Sequence, residues 1–104
     1  MTTKNTLKAK KAIRKITGPI SFGEMLYSFR FSNDYSQVAM AEILGISKQD
    51  LCNIEKGRKS VSVERAKIFA EILGMPSKTF AKYALQDQLN SAGIAGEVEI
   101  NEVA

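Results

Sequence analysis

Residues 36–58 read SQVAMAEILGISKQDLCNIEKGR, and this stretch decides the fold class. Apolar or small side chains recur at helical spacing on both sides of Gly45, at Met40, Ala41, Leu44, Ile46, Leu51 and Ile54. Gly45 can adopt the left-handed backbone that ends a helix at little cost. The small side chain of Ala41 lets a second helix cross close above it. The stretch therefore predicts two short helices joined by a tight turn, with the outer face of the second free to enter a major groove.

The same signals continue on both sides of this pair. Serines that can cap a helix precede apolar stripes of helical period, at Ser21, Ser36, Ser47 and Ser62, and Pro76-Ser77 opens a last stripe. Glycines follow several of the stripes, where a helix can stop. Residues 21–90 are therefore predicted to form five short helices without a strand, an all-α fold.

Composition limits the chemistry that this chain of 104 residues can perform. Histidine is absent, which excludes Ser–His and Cys–His nucleophile pairs and nearly all zinc sites, and Cys52 is a single cysteine without a disulfide partner. No apolar run approaches the ~20 residues of a membrane span. We therefore expect a cytoplasmic binding protein, not an enzyme, with no catalytic residue, metal or cofactor. We expect the thiol of Cys52 to be chemically inert, and a redox switch at this residue is the less favoured alternative.

Charge divides the chain into three predicted segments. Fifteen Lys and Arg against eleven Asp and Glu give a net charge of +4. Residues 1–20 contain six basic side chains and no acidic one, residues 21–90 are nearly neutral, and residues 91–104 contain three glutamates. The division predicts a flexible basic arm, a helical domain and a short acidic tail.

The stretch quoted above resembles the phage repressor family of helix-turn-helix proteins, of the Cro/CI (XRE) type. The similarity extends over about residues 22–82 and includes the Leu73-Gly74-Met75-Pro76-Ser77 junction. It implies a five-helix, phage-repressor-like DNA-binding fold that works as a homodimer on a two-fold, double-stranded operator. The small size, the basic arm and the missing effector domain are also similar to the HigA group of antitoxins from bacterial toxin–antitoxin modules.

The resemblance assigns DNA contacts to particular positions. It implies that the recognition helix reads bases with Lys48, Gln49 and Asn53, whose amide and ammonium groups match the edges of adenine and guanine. Contacts to phosphate are implied or suggested for Gln37, Ser47, Lys56, Arg58 and Lys59. The alternative is a solvated helix face followed by a basic turn that aids solubility. Asp50 would repel phosphate, so we expect it to cap the helix beside Ser47 or to accept from cytosine N4.

One pair of charged residues has a structural role in the resemblance. In the family, an arginine near the end of the first helix meets a glutamate near the end of the recognition helix, largely buried. Arg30 and Glu55 occupy these positions here, so an ion pair between them is expected to hold the recognition helix against the first helix.

The basic arm has the pattern of a short amphipathic helix, with Ala9, Ala12, Ile13 and Ile16 at helical spacing. We expect it to be disordered when free and to fold on a partner. The partners considered are DNA beside the operator, an acidic membrane surface, which its small apolar face disfavours, and a protein. Under the antitoxin resemblance that protein is an mRNA-cleaving toxin, bound as helix or added strand through Leu7, Ala9, Ile13 and Ile16. A merely solubilising arm is the remaining alternative.

The acidic tail alternates as Glu97-Val98-Glu99-Ile100-Asn101-Glu102-Val103. Alternation of period two is typical of an edge strand, which would pair with its copy in a dimer or with the arm; a disordered tail is the other option. Candidates for the dimer contact are Tyr83, Leu85 and Leu89.

Two functions remain after these exclusions: an antitoxin that also represses transcription, and a phage-type regulator whose arm contacts DNA.

Overall fold

The structure is a computed structural model that describes residues 20–101. Its helices follow one another in the order α1 (Phe22–Ser32), α2 (Gln37–Leu44), α3 (Lys48–Glu55), α4 (Val63–Leu73) and α5 (Ser77–Ser91). Residues 20–101 contain five helices and no strand, so the predicted all-α, five-helix fold is confirmed for this part of the chain. No helix within it is long and apolar enough to cross a membrane.

Serine side chains start four of the five helices. Ser21, Ser36, Ser47 and Ser62 each have an extended backbone, and each hydroxyl accepts a hydrogen bond from the backbone N–H three residues later. At α1 the carboxylate of Glu24 also accepts from the backbone N–H of Ser21, which completes a capping box. Each cap satisfies an N–H that the helix itself leaves unpaired, so the helix boundaries follow from local sequence.

All five helices contribute to one apolar core. Phe22 and Phe80 meet edge to face at its centre, with ring centroids 5.8 Å apart, and join α1 to α5. The other buried core residues are Leu26, Met40, Ala41, Leu44, Leu51, Ile54, Val61, Ala66, Phe69, Ala70 and Ala84. Because α3 contributes only Leu51 and Ile54, most of its surface faces outward.

A carboxylate on α5 holds the start of α1. The Asp87 side chain accepts from the backbone N–H of Phe22, at 3.1 Å from Oδ2 and 3.3 Å from Oδ1. Burial raises the pKa of Asp87 above its ordinary 3.8, the neighbouring Glu24 adds to the rise, and the Phe22 N–H opposes it. The folded protein therefore binds a proton at Asp87 more tightly than the unfolded chain does.

Replacing Asp87 with asparagine is expected to remove a pH-dependent contribution to stability. For a carboxyl whose pKa is raised by folding, this contribution is present below pH 3.8 and is lost as the pH rises through the raised pKa. Asparagine keeps an acceptor for Phe22 and does not titrate. The free energy of unfolding of Asp87→Asn, taken relative to that of the wild type, should therefore increase from about pH 3 to about pH 7. Urea denaturation across this range measures the difference, with the exposed Glu64→Gln as control. A constant difference would contradict this role of Asp87.

The two ends of the chain are described only in part. Residues 1–19 and 102–104 lie outside the described residues, and with them the arm contacts predicted for Leu7, Ala9, Ile13 and Ile16. The edge strand suggested for the tail is not formed over residues 97–101. A strand needs a backbone partner, and within the described residues the tail instead bonds to a side chain of α5, that of Gln86. The division into segments 1–20, 21–90 and 91–104 stays a prediction.

Candidate nucleic-acid interface

A tight turn at Gly45 sets the angle between α2 and α3. Gly45 ends α2 with φ 74° and ψ 30°, and the N–H of Ile46 donates to the carbonyl of Ala41 at 2.9 Å. Ala41 is buried where α2 meets the core, and Ile46 packs against the core from the turn. Ser47 then caps α3 two residues after the glycine. The turn thus brings the recognition helix back across α2 within three residues, which is the geometry of a helix-turn-helix.

The inner face of α3 lies directly against α1. Leu51 and Ile54 are buried, and Gly23 of α1 meets the last turn of α3. A Cβ at Gly23 would overlap the carbonyl oxygen of Ile54 and lie 2.9 Å from that of Glu55. The two helix backbones therefore touch where a side chain would otherwise separate them. This close approach holds the outer face of α3 in a defined position.

The structure brings the predicted pair Arg30 and Glu55 together. The Arg30 Nε donates to Glu55 Oε2 at 2.7 Å and its Nη2 to Oε1 at 3.1 Å, while Nη1 donates to the carbonyl of Tyr35. The side chains are 14% and 4% exposed. The carboxylate thus lies in a two-pronged, nearly dry contact that links α1, the α1–α2 turn and α3.

Gln37 completes this cluster. Its Nε2 donates to Glu55 Oε1 at 3.0 Å, so its amide points to the ion pair in the free chain. Gln37 is the first residue of α2, the position from which a phosphate contact was expected. The amide nitrogen carries a second hydrogen, so the bond to Glu55 leaves one donor of Gln37 for a phosphate. The phosphate role of Gln37 stays a prediction.

Three polar side chains form a connected row on the outer side of α3. Gln49 Nε2 donates to Asn53 Oδ1 at 3.2 Å, and Arg58 Nη1 donates to the same oxygen at 3.2 Å. The backbone carbonyl of Asn53 accepts from the N–H of Arg58 at 2.9 Å, which folds the loop after α3 back along the helix. Lys48 and Gln49 are exposed and Asn53 is half-buried. The three predicted base-reading residues therefore lie at the surface, with Arg58 beside them.

The Asp50 side chain does not cap α3, and its suggested contact to cytosine N4 stays a prediction. Its carboxylate accepts from Lys59 Nζ at 2.6 Å and from Arg65 Nη2 at 2.8 Å, and it ties α3 to the following loop and to α4. These two bonds hold the pKa of Asp50 below its usual value. Only its backbone N–H bonds to the Ser47 cap. The negative charge is thereby compensated beside the phosphate-binding surface that was predicted.

Arg65 is a residue of this surface that sequence reasoning missed. It lies on α4, fifteen residues from Asp50, and no local spacing connects the two. Lys59 also bonds Asp50, and its side chain is about half exposed, so its predicted phosphate contact competes with this ion pair. Ser47 and Lys56 are exposed at the two ends of α3. Lys48, Lys56, Arg58 and Lys59 are thus exposed basic residues of α3 and of the loop after it.

Comparison with known proteins agrees with this geometry. The family described as "Helix-turn-helix" matches residues 26–80, just over half of the chain. A proposed HTH-type transcriptional regulatory protein of Thermococcus kodakarensis is 38% identical over 58 residues. The matched segment is 52% of this chain and 18% of that relative. The chain thus spans about a fifth of the length of the curated relative it matches.

Proposed function

The chain belongs to the helix-turn-helix family, and on this premise we propose that it is a sequence-specific DNA-binding protein that represses transcription. In this proposal α3 enters the major groove of a double-stranded operator and reads base edges with Lys48, Gln49 and Asn53. The basic surface around α3 binds the flanking phosphates and sets the orientation on the duplex.

The observation that carries the proposal is the contrast between the two faces of α3. Its inner face is held by Leu51, Ile54 and the Gly23 contact, and the outer face carries amide and ammonium groups. Amides can bond adenine with two hydrogen bonds, and an ammonium can donate to guanine. Such a rigidly held polar helix face is what readout of a major groove requires.

Replacing Gln49 with alanine should relax base preference at one position of each half-site, by about 1–3 kcal/mol against the mismatched base. Base preference is lost because alanine cannot make the two hydrogen bonds to a base that the Gln49 amide is proposed to make. Selection from a randomised duplex pool, followed by competition binding at fixed salt, measures the preference. The matched control is Gln88→Ala, which removes an exposed glutamine from α5 and should leave the preference unchanged. If Gln49→Ala selects the same sequences as the wild type, the assignment of base-reading positions is wrong.

Replacing Lys56 with alanine should instead weaken binding to all sequences alike. Lys56 is exposed at the C-terminus of α3 and makes a contact to phosphate only, so its loss should make the dependence of log affinity on log salt shallower by about 0.9. Titrations of one operator and one unrelated duplex at several salt concentrations test this. Lys82→Ala on α5 is the control of equal charge. An effect confined to the operator would assign Lys56 to base readout.

A homodimer on a two-fold operator is part of the same proposal, because one α3 spans only a few base pairs. The candidate contact on α5 consists of Tyr83, Leu85 and Leu89, all half-buried in the single chain. Mass measured by light scattering with and without a two-half-site duplex tests the stoichiometry. Two chains per duplex support the dimer, and one chain per duplex contradicts it.

An antitoxin role is a second candidate, and it rests on the basic arm of residues 1–20 together with the similarity in size and organisation to the HigA group. In that case a toxin binds Leu7, Ala9, Ile13 and Ile16, and removing residues 1–19 abolishes neutralisation without changing operator affinity. A regulator whose arm contacts DNA predicts the reverse, a loss of operator affinity. One truncated chain assayed for both properties therefore distinguishes the two.

A further inference from the structure

A buried glutamine holds the acidic tail against α5. Gln86 is 2% exposed, and it is the buried polar residue of the core. Its Nε2 donates to the carbonyl of Gly96 at 2.7 Å and to Asn90 Oδ1 at 3.2 Å, while its Oε1 accepts from the N–H of Val98 at 2.8 Å. Because Gln86 lies inside the domain, these bonds define the path of residues 96–98 as firmly as a core contact would.

The bonds from Gln86 occupy one edge of the tail backbone and leave the opposite edge open. The Gln86 carboxamide bonds the carbonyl of residue 96 and the N–H of residue 98 as a strand neighbour would, since these two groups lie on the same side of a chain that is extended at residue 97. The N–H and carbonyl groups of Glu97 and Glu99 then point to the other side. Within residues 20–101 these four groups have no hydrogen-bond partner, and both carboxylates are exposed without an ion pair.

The first helix and the tail are both held by α5. Asp87 holds the backbone of Phe22, and Gln86 holds Gly96 and Val98. The two anchors are consecutive residues of α5, so the root of the arm and the tail start from the same turn of one helix. Residues 1–20, which lead to Phe22, carry six basic side chains and no acidic one, and the tail carries the exposed carboxylates of Glu97 and Glu99.

We propose that residues 7–10 of the arm bind this edge of their own chain as an added antiparallel strand. Both segments alternate with period two, and they are complementary: Leu-Lys-Ala-Lys against Glu-Val-Glu-Ile. Opposite charges directly across two strands are favourable, and so are apolar pairs. The register that satisfies all four positions pairs Lys10 with Glu97, Ala9 with Val98, Lys8 with Glu99 and Leu7 with Ile100.

Charge and reach favour the arm over the tail of a second copy. Self-pairing of two tails about Val98 would set Glu97 opposite Glu99, and like charges directly opposite destabilise a strand pair. From Ile20 back to Lys10 an extended chain spans up to about 35 Å, ample to return to residues 97–100. The arm of the same chain therefore supplies both the charge and the backbone groups that the open edge lacks.

Amide hydrogen exchange by NMR on the full-length chain tests the proposal. Glu97 and Glu99 donate in the proposed register, so their amides should be protected at low salt. Reversing the charge of the arm with Lys8→Glu/Lys10→Glu should lower this protection by roughly tenfold. Glu97→Lys/Glu99→Lys should do the same, and combining the four changes should restore protection. Lys11→Glu/Lys15→Glu removes equal charge outside the register and should leave protection within about twofold of the wild type.

Three results would overturn the proposal. The first is free exchange of Glu97 and Glu99 in the wild type at low salt. The second is protection that survives the reversal of Lys8 and Lys10, or that falls equally with the reversal of Lys11 and Lys15. The third is protection that appears only as dimers form with rising concentration, which would assign the edge to a second copy. Melting temperatures of all variants test whether the helical domain stays intact.

Discussion

Replacing Arg30 with methionine should lower the free energy of unfolding by about 3–5 kcal/mol. The Glu55 side chain is only 4% exposed, and without Arg30 it keeps a single side-chain donor, Gln37. The uncompensated charge must then be rehydrated, and this moves the end of α3 away from α1. A domain of this size is commonly stable by only ~5–15 kcal/mol, so the loss is large enough to affect folding at physiological temperature.

Urea denaturation of the single and double variants measures this effect. Arg30→Met/Glu55→Leu removes both charges and should recover most of the lost stability, because the penalty arises from the stranded carboxylate. Lys67→Met is the control, since it breaks an ion pair whose side chains are 63% and 59% exposed and should cost no more than about 0.5 kcal/mol. A loss below about 1 kcal/mol for Arg30→Met would mean that Glu55 has access to water.

Replacing Gly23 with alanine should destabilise the domain by about 3 kcal/mol or more. Alanine is the better helix former by ~1 kcal/mol, so helix propensity alone predicts the opposite sign. At this position, however, the added Cβ would overlap the Ile54 carbonyl and crowd that of Glu55, and backbone atoms cannot rotate away as a side chain can. α1 and α3 must therefore separate, and the buried contacts of Ile54 weaken with them.

Thermal and urea unfolding again give the measurement, and two other alanines separate the possible causes. Ser28→Ala in the same helix is exposed and should change stability by less than about 0.5 kcal/mol. Gly45→Ala meets no atom within 4 Å but forces a left-handed alanine, with an expected cost of about 1–2 kcal/mol. Because Gly23→Ala displaces α3, operator affinity should also fall. A Gly23→Ala variant as stable as the wild type would show that the helices can part freely.

Much of the fold could be predicted because its signals are local. A serine hydroxyl that caps the N–H three residues later, or a glycine that turns left-handed after Leu44, acts within a few residues of itself. The exposed positions of Lys48 and Gln49 follow from helical period once Leu51 and Ile54 face inward. The ion pair of Arg30 and Glu55 was expected only through the family resemblance, because no rule of spacing connects residues 25 positions apart.

The residues that were missed share a different property. Asp50 meets Arg65, Gln86 holds the tail, and Gly23 touches α3 only after the helices have packed. Each of these roles depends on which distant group comes to lie next to the residue when the helices pack. Hydrogen bonds and charges act over a few ångströms, so their partners are chosen by packing and not by distance along the chain.

By itself, then, the sequence determined where the helices begin and where several of them end, which faces are apolar and which face of α3 is polar, since caps and periodicity are properties of neighbouring residues. The tertiary structure alone decided how closely α1 meets α3, where the charge of Asp50 is neutralised and which edge of the tail stays open. The physical reason is that these three features arise from contacts between segments that become neighbours only when the common core forms.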